Sequence, residues 1–385
     1  MAGTSPGTRR HELDGLRVLA FALLMLYHVA RLFDPTDWHV KNDHLLPWLE
    51  PPMDFLHQWR MPLLFFISGA ATWFMAAKHS VGRFVIERHR RLLIPLVFGM
   101  LVVVPPQVYV ERIAHGATFG YAEFYRSIFA FEPYPRGNFS WHHLWYLPYI
   151  LVYSMVLLPI IHILKRPEAR ARLAALNARL ARGHTLYLLF APIALSEVVL
   201  RPHWPENANN LLGDWSQFTS MLLVFGFGYA LAGSDHVWAT LEHLRRRSLL
   251  LGVLTFAALF ATWQLDLAHA SAPAIAAYRV LRSLNMWLWV LAVLGFGRHH
   301  LRRPWRGLQY ANNAVYPFYV LHQTIIVVVG YFLARWSGPV ALEFAIELVA
   351  TFGGCWLLYE GLIKRWGPLR AVFGLTWAPK RVPSP

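Results

Sequence analysis

An arginine and a histidine near the start of the chain have the types and spacing that chemistry inside a membrane would need. Arg17 and His28 are eleven residues apart, which on a helix places them on one face, about 16 Å apart along the axis. The run between them is long and apolar, as in a membrane span. A histidine at that depth is costly, so it is a candidate functional group. The alternative is that His28 only bonds a neighbouring helix.

The composition indicates a membrane protein. The 385 residues are 56% hydrophobic and 15% charged, with a mean hydropathy of +0.36, whereas soluble domains carry about 25% charged residues. A net charge of +15 could suggest nucleic acid. We exclude that partner because the basic residues cluster in short loops between apolar runs. The single cysteine, Cys355, lies within an apolar run, so neither a disulfide nor a thiolate metal cage is expected.

We predict an all-α, polytopic membrane fold with about ten transmembrane helices in the lipid bilayer. The predicted spans are 16–33, 61–77, 92–110, 142–164, 185–200, 217–233, 248–267, 280–297, 314–334 and 339–363. They form one transmembrane domain, 13–363, between an N-terminal segment, 1–12, and a tail, 364–385. The first apolar run is longer than a signal-peptide core and no cleavage site follows it, so we expect it to be retained.

The distribution of charge predicts the orientation. The segments on one side of the predicted spans carry 25 lysines and arginines, and those on the other side carry 8. The positive-inside rule then places both termini in the cytoplasm. Arg17 would lie at the cytoplasmic face, and His28 toward the outer leaflet of a bacterial inner membrane.

Two further strings on the cytoplasmic half carry small or basic groups. The second predicted span contains Phe-Phe-Ile-Ser-Gly, in which Ser68 and Gly69 either allow a close helix approach or line a site. Arg88 and Arg91 are three residues apart and share a helix face. Their guanidinium forks suit phosphate oxygens, although membrane topology alone also favours basic residues there.

The remaining candidates lie in later spans and in the outer loops. His-His-Leu-Trp-Tyr-Leu opens the fourth predicted span and puts His143 and Trp145 near the outer mouth. Tyr-Pro-Phe-Tyr-Val-Leu-His-Gln puts His322 about 12 Å deep in the ninth. The polar loop 34–60 could bind sugar hydroxyls, although ordinary solvated-loop polarity is the favoured interpretation. The aromatic segment 111–141 fits sugar stacking or an interfacial belt equally well. No histidine pair has a convincing third ligand, so we predict no metal.

Taken in order, these strings resemble the membrane-bound acyltransferase type-three family, from His11 to about Ile363. The most specific element is Leu-Asp-Gly-Leu-Arg followed by ten residues and a histidine, which runs from Arg17 to His28. The Phe-Phe-x-Ser-Gly, Arg-x-x-Arg, His-Leu-Trp-Tyr and ninth-span strings stand at the family's customary positions. The ninth span and the His-Glu-Leu-Asp opening look most like the branch that succinylates periplasmic glucans.

The resemblance implies an acyl-CoA-dependent acyltransferase that modifies a hydroxyl of an envelope or periplasmic glycan on the outer side. His28 would be the general base, taking the hydroxyl proton as the oxygen attacks the thioester. The residues implied to hold the phosphates of acetyl-CoA or succinyl-CoA are Arg17, Arg88 and Arg91. The residues implied to contact the acceptor or the oxyanion are Ser68, His143, Trp145 and His322. Asp14 could orient Arg17 from three residues away.

Two other classes of protein fit the same residues. One is a transporter or flippase for an envelope glycan or lipid, in which buried histidines relay protons. No internal repeat is evident in the sequence, which weighs against it. The other is a non-catalytic membrane scaffold.

Overall fold

The computed structural model describes residues 10–205, 209–262, 270–336 and 338–377. Within these ranges the protein is helical, and its β-type pairing is limited to an isolated bridge between Pro133 and Phe139. Most of the predicted N-terminal segment, the end of the predicted tail and the end of the predicted seventh span, with Asp266, lie outside these ranges.

The described α-helices are α1 (His11–Ala30), α2 (Glu50–Lys78), α3 (Val81–Phe98), α4 (Val104–Ala114), α5 (Tyr121–Ser127), α6 (Tyr146–Val156), α7 (Leu158–Ile163), α8 (Pro167–Leu180), α9 (Phe190–Leu200), α10 (Trp215–Leu231), α11 (Asp235–Thr262), α12 (Ala272–His300), α13 (Leu308–Leu333), α14 (Val340–Leu358) and α15 (Gly367–Val372). Short 3₁₀ helices cover Pro47–Leu49, Ile128–Ala130, His142–Trp145 and Thr185–Leu189. π-Helical turns cover Gly99–Val103 and Tyr359–Ile363.

Among the described residues, six helical stretches are long and apolar enough to cross a membrane. They are His11–Ala30, Pro47–Lys78, Val81–Ala114, Ala272–His300, Leu308–Leu333 and Val340–Ile363. A seventh is added if the pair Pro167–Leu180 and Thr185–Leu200, bent by 113°, counts as one span. A multi-pass membrane fold is therefore confirmed, while the count of ten spans and the cytoplasmic termini stay predictions.

The predicted fourth span is broken in the structure. Helix α6 ends at Val156, and α7 begins at Leu158 with a proline in its first turn. Pro159 lacks the amide hydrogen that would continue the helix of α6, but it fits the first turn of a new one.

Contacts divide the described residues into two compact units. Unit 1 consists of the described parts of Met1–Ala20, Phe55–Ile86 and Val152–Leu308. Unit 2 consists of Phe21–Asp54, Glu87–Leu151 and the described part of Gln309–Pro385.

Helices α2 and α10 of unit 1 pack backbone to backbone. A Cβ at Gly69 would overlap the carbonyl oxygen of Phe225, and a Cβ at Gly228 would overlap the carbonyl oxygen of Phe66. Only glycine allows helices to approach this closely. The close helix approach predicted at Ser68-Gly69 is therefore confirmed for Gly69.

Unit 1 also contains an ion-pair network that joins α9 to the start of α10. Arg201 lies 3.2 Å from Glu197 and 2.8 Å from Asp214. Ser220 and Ser216 donate further hydrogen bonds to Glu197, at 2.8 and 3.1 Å. Glu197 and Asp214 form no recognisable pattern in the sequence, yet the fold neutralises much of their charge. We call these five residues the Arg201 network.

The polar loop after α1, in unit 2, is folded rather than simply solvated. Asp34 is fully buried and accepts hydrogen bonds from Arg31 at 2.6 Å and Lys41 at 2.8 Å. Asn42 is buried and donates to Glu343 of α14 at 2.5 Å. Burial lowers the pKa of the Lys41 ammonium. Internal pairing therefore accounts for Asp34, Lys41 and Asn42, whereas other ionisable residues of the loop are exposed, namely Asp37, Asp43, His44 and Glu50.

Aromatic rings of the segment 111–141 pack largely against one another and against α4. Tyr109 makes ring contacts with Phe119, Tyr121 and Phe124 at 5.2 to 6.3 Å. Tyr125 donates a hydrogen bond to a backbone carbonyl in the π-helical turn that precedes α4. The roles predicted for these rings, in sugar stacking or an interfacial belt, stay predictions.

Candidate active site

Two histidines predicted to lie deep in the membrane meet in unit 2. Nδ1 of His28, on α1, lies 2.8 Å from Nε2 of His322, on α13, although the residues are 294 positions apart. Their ring planes are within 6° of parallel and their centroids lie 5.1 Å apart. His322 is fully buried, whereas His28 is partly exposed. The fold thus joins the two histidines in one hydrogen-bonded pair, which we call the histidine pair.

The backbone of α13 assigns the proton positions of the neutral histidine pair. Nδ1 of His322 lies 2.7 Å from the carbonyl oxygen of Tyr319 and 3.2 Å from that of Phe318. Because a carbonyl oxygen only accepts, this Nδ1 carries the hydrogen and Nε2 of His322 is an acceptor. His28 must then donate from its Nδ1. The unprotonated nitrogen of His28 is therefore Nε2.

His143 supports the histidine pair from one side. Its ring meets that of His322 edge to face, with centroids 5.2 Å apart. It is buried, donates from Nε2 to the carbonyl of Val320 at 3.0 Å, and has Gln107 at 3.3 Å from Nδ1. Tyr319 donates to the carbonyl oxygen of His143 at 2.6 Å. The hydrogen bonds with Val320 and Tyr319 attach His143 to α13. The predicted contact of His143 with an acceptor stays a prediction.

Two tryptophans belong to the surroundings of these histidines: Trp38, which contacts His28, and Trp145, which follows His143 by two residues. Trp38 stacks on His28, with centroids 6.2 Å apart. Trp145, predicted to contact the acceptor, is partly exposed and packs edge to face on Tyr149 at 5.2 Å. Trp38 is a contact of the candidate base that sequence reasoning did not single out.

Two of the three arginines predicted to bind phosphate, Arg88 and Arg91, differ in exposure. Arg88 is buried, whereas the side chain of Arg91 is 51% exposed and lies 3.9 Å from Glu87. Tyr316 of α13 donates to the carbonyl oxygen of Arg91 at 3.0 Å and interacts electrostatically with Arg88. Tyr316 precedes His322 by six residues, about 9 Å along the helix axis. One stretch of α13 therefore connects the arginines with the histidine pair.

The other two predicted site residues, Arg17 and Ser68, belong to unit 1. Arg17 lies 3.1 Å from Asp14, so the predicted pairing is confirmed. Arg17 also shares α1 with His28, as the spacing predicts. Ser68 is partly exposed, and its carbonyl oxygen accepts a hydrogen bond from Thr72 at 2.7 Å.

A second cluster of titratable groups lies beside the histidine pair in unit 2. His39 and His142 both face Oε2 of Glu111, with Nδ1 of His39 at 3.0 Å and Nε2 of His142 at 3.3 Å. The side-chain nitrogen of Gln323, the residue after His322, lies 2.9 Å from Nε2 of His39. We call His39, Glu111 and His142 the Glu111 cluster. Sequence reasoning missed Glu111, whose one signal is a carboxylate just after an apolar run.

These elements define a multi-pass membrane protein with a partly buried, hydrogen-bonded histidine pair. A family model described as an acyltransferase domain matches residues 10–360, so the chain belongs to the membrane-bound acyltransferase type-three family. The chain is also similar to proteins named glucans biosynthesis protein C. It is 22% identical to the one from Escherichia coli O81 (strain ED1a) and 21% identical to those from Escherichia coli K12 and Salmonella agona SL483. Each alignment covers 92% of both chains. No solved structure matches the chain.

Proposed function

We propose that this protein is an inner-membrane O-acyltransferase that moves an acetyl or succinyl group from cytoplasmic acyl-CoA to a hydroxyl of an envelope or periplasmic glycan. The histidine pair carries this proposal. Its hydrogen-bond order puts the lone pair of His28 on Nε2, where a hydroxyl proton can be accepted.

The reaction transfers one proton and one acyl group. The glycan oxygen attacks the thioester carbonyl while its proton passes to Nε2 of His28. The carbon–sulfur bond then breaks, an oxygen ester is formed, and His28 returns the proton to the departing CoA thiolate. The bond from Nδ1 of His28 to His322 holds the ring in one orientation and stabilises the imidazolium that forms midway.

The arginines favour a donor that carries phosphate. Arg88 is a buried guanidinium beside the half-exposed Arg91, and Arg17 lies on the same helix as His28. Guanidinium groups suit phosphate oxygens, and coenzyme A offers both a pyrophosphate and a ribose phosphate. The stretch of α13 from Tyr316 to His322 would line the path of the acyl-pantetheine arm of acyl-CoA, from the phosphates near the arginines to His28.

The proposed acceptor rests on the relatives. The proteins similar over 92% of the chain are named for glucan biosynthesis, so a glucan is the first acceptor to test. Segments 34–60 and 111–141 are on the side that the charge distribution predicts to face the periplasm.

The decisive experiment separates the two substrates across a membrane. Purified protein is reconstituted in oriented vesicles, and release of free CoA thiol is measured with acetyl-CoA or succinyl-CoA on one face and an impermeant glucan on the other. We expect release only with acyl-CoA at the cytoplasmic face and glucan at the outer face. Release with both substrates at the cytoplasmic face would overturn the cross-membrane arrangement. Glucan transport without use of acyl-CoA would support a transporter instead.

A further inference from the structure

We infer that the Glu111 cluster is a binding site for a divalent transition metal of the zinc class. This inference is independent of acyl transfer, because it rests on a separate set of side chains. The sequence predicts no metal since neither His39 nor His142 has a third ligand near it in the chain. The fold supplies that ligand by bringing the end of α4 to both histidines.

The three donors have the chemistry and proximity that zinc needs. The candidate ligand atoms all lie within 4.8 Å of one another, and both imidazole nitrogens face the same carboxylate oxygen. Two histidines and one carboxylate, with a fourth position open, form a known ligand set for zinc in proteins. The histidine rings stack, with centroids 4.7 Å apart, so small side-chain rotations suffice to direct both nitrogens at one ion.

Each proposed ligand has its own outer partner, as metal-binding histidines and carboxylates usually do. Nδ1 of His142 lies 2.5 Å from the hydroxyl of Ser140, and Nε2 of His39 lies 2.9 Å from the amide of Gln323. Tyr134 donates to Oε1 of Glu111 at 2.7 Å. As placed, Gln323 donates from its amide nitrogen to Nε2 of His39, so Nδ1 of His39 carries the hydrogen that faces Glu111. A half-turn of the Gln323 amide would let its oxygen accept from Nε2 of His39 and would turn the Nδ1 lone pair toward an ion. His142, which can donate from Nδ1 to the Ser140 hydroxyl, would then present its Nε2 lone pair to the same ion.

The charge balance of the cluster also favours a cation. The side chain of Glu111 is 9% exposed and that of His142 only 2%, and a buried carboxylate needs a compensating charge. The neighbouring Arg112 donates hydrogen bonds to the backbone of Pro135 and Gly137 and to the side chain of Asn138. Its guanidinium lies over the ring of Tyr134. The side chain of His39, 17% exposed, is the most accessible edge for an entering ion.

The position of the cluster suggests a structural role near the base. His39 follows Trp38, which stacks on His28, and its partner Gln323 follows His322. His142 precedes His143, the support of α13. One ion would therefore tie α4 to two segments that each contact the histidine pair, those of His39 and His142.

The test measures zinc directly and needs no acyl donor. Full-length protein in detergent, with any affinity tag removed, is stripped with a chelator and titrated with zinc chloride. We expect one zinc ion per chain, and X-ray absorption with a shell of nitrogen and oxygen neighbours at about 2.0–2.1 Å. His142→Ala and Glu111→Gln should weaken zinc binding by more than the roughly 10–100-fold that outer-partner changes cause. The matched controls, His44→Ala and Glu123→Gln, change exposed residues and should bind zinc as the wild type does.

A milder variant keeps the test valid if a ligand variant folds poorly. Ser140→Ala removes only the outer partner of His142 and should weaken zinc binding about 10–100-fold. The inference is overturned if the wild type binds no zinc, or if the ligand variants and Ser140→Ala all bind it as tightly as the controls. In that case the Glu111 cluster is a hydrogen-bonded network in which the carboxylate accepts from both imidazoles.

Discussion

The two units each contain a buried polar centre, and the two centres are built in opposite ways. In the Arg201 network of unit 1, a guanidinium lies between two carboxylates, and two hydroxyls fill remaining acceptor sites. In the histidine pair of unit 2, the carbonyl oxygen of Tyr319 accepts a hydrogen bond from Nδ1 of His322. Nε2 of His322 therefore accepts from Nδ1 of His28, and the tautomers of both rings are fixed. The first arrangement compensates one of its two carboxylate charges with its own guanidinium. The second ends on an unprotonated ring nitrogen of His28.

This difference teaches which buried polar groups are candidates for chemistry. A network of opposite charges stabilises the fold only as long as its partners remain, and it has no need of a substrate. A chain of imidazoles can gain and lose a proton while its geometry is preserved, as general acid–base catalysis requires. We therefore expect changes in the histidine pair to affect turnover, and changes in the Arg201 network to affect stability.

The largest expected effect on turnover is at His28. His28→Ala removes the proposed base and should lower turnover by about 10²–10⁴-fold, the usual contribution of a positioned proton acceptor. The measurement is acyl transfer to the glycan per folded molecule, with folding judged by thermal unfolding in detergent.

The matched control is His44→Ala, which removes an exposed histidine of the following loop. It should leave turnover unchanged. Near-normal turnover in a well-folded His28→Ala protein would show that His28 is not the base. The proposed difference between a catalytic centre in unit 2 and a structural centre in unit 1 would then be wrong.

His28 and His322 also illustrate how far the sequence can predict the site. Spacing and depth identify each histidine as a candidate, because a period of 3.6 residues and a long apolar run are local properties. Their hydrogen bond joins residues 294 positions apart and depends on how α1 and α13 pack. The same limit applies to Glu111, whose partners His39 and His142 come from other segments.

Local pairings, by contrast, were accessible from the sequence. Asp14 pairs with Arg17 three residues away, as predicted, and Glu360 pairs with Lys364 four residues away at 2.9 Å. Both pairs follow from the helical repeat alone. The all-helical membrane class is confirmed for the same reason, since it depends on composition and on the length of apolar runs.

The next effect in size is expected at His322, which acts through His28. His322→Leu removes the acceptor for Nδ1 of His28 and frees the ring to adopt the other tautomer. We expect a loss of turnover on the order of 10–100-fold, similar to that seen when outer partners of metal-bound histidines are removed. His322→Gln offers an amide oxygen as acceptor and should recover part of the loss.

The comparison of kcat with KM distinguishes this role from simple packing. The loss should be in kcat, with KM for the acyl donor unchanged, because His322 orients the base rather than the substrate. If the glutamine and leucine variants were equally impaired, the hydrogen bond would not be the property that matters.

A smaller effect, on donor affinity, is expected at the arginines. Arg88→Ala combined with Arg91→Ala should weaken binding of acyl-CoA by about 10–100-fold, corresponding to one charged hydrogen bond of about 1.5–3 kcal/mol. A pantetheine thioester that lacks the nucleotide should lose much less affinity. The measurement is the dissociation constant of each donor in detergent. Equal losses for both donors would mean that these arginines serve only membrane topology.

The smallest effect on turnover is expected in the Arg201 network, where stability should change instead. The residues of this network are mostly buried, with exposed side-chain fractions of 14% for Arg201, 18% for Glu197 and 0% for Asp214. Removing one partner of a fully buried ion pair costs about 3–5 kcal/mol. Partial exposure should reduce the cost of Arg201→Gln to about 1–3 kcal/mol.

The measurement is the thermal unfolding midpoint of Arg201→Gln in detergent, together with turnover per folded molecule. Arg172→Gln, an exposed change on α8, is the control and should leave both unchanged. Adding Glu197→Gln to Arg201→Gln should restore part of the stability, since it removes a carboxylate that has lost its counter-charge, and the double-mutant cycle isolates that coupling. If Arg201→Gln lowered turnover per folded molecule while the unfolding midpoint stayed constant, the network in unit 1 would take part in the reaction. The distinction between an ion-paired centre that stabilises the fold and a proton-accepting centre that takes part in chemistry would then fail.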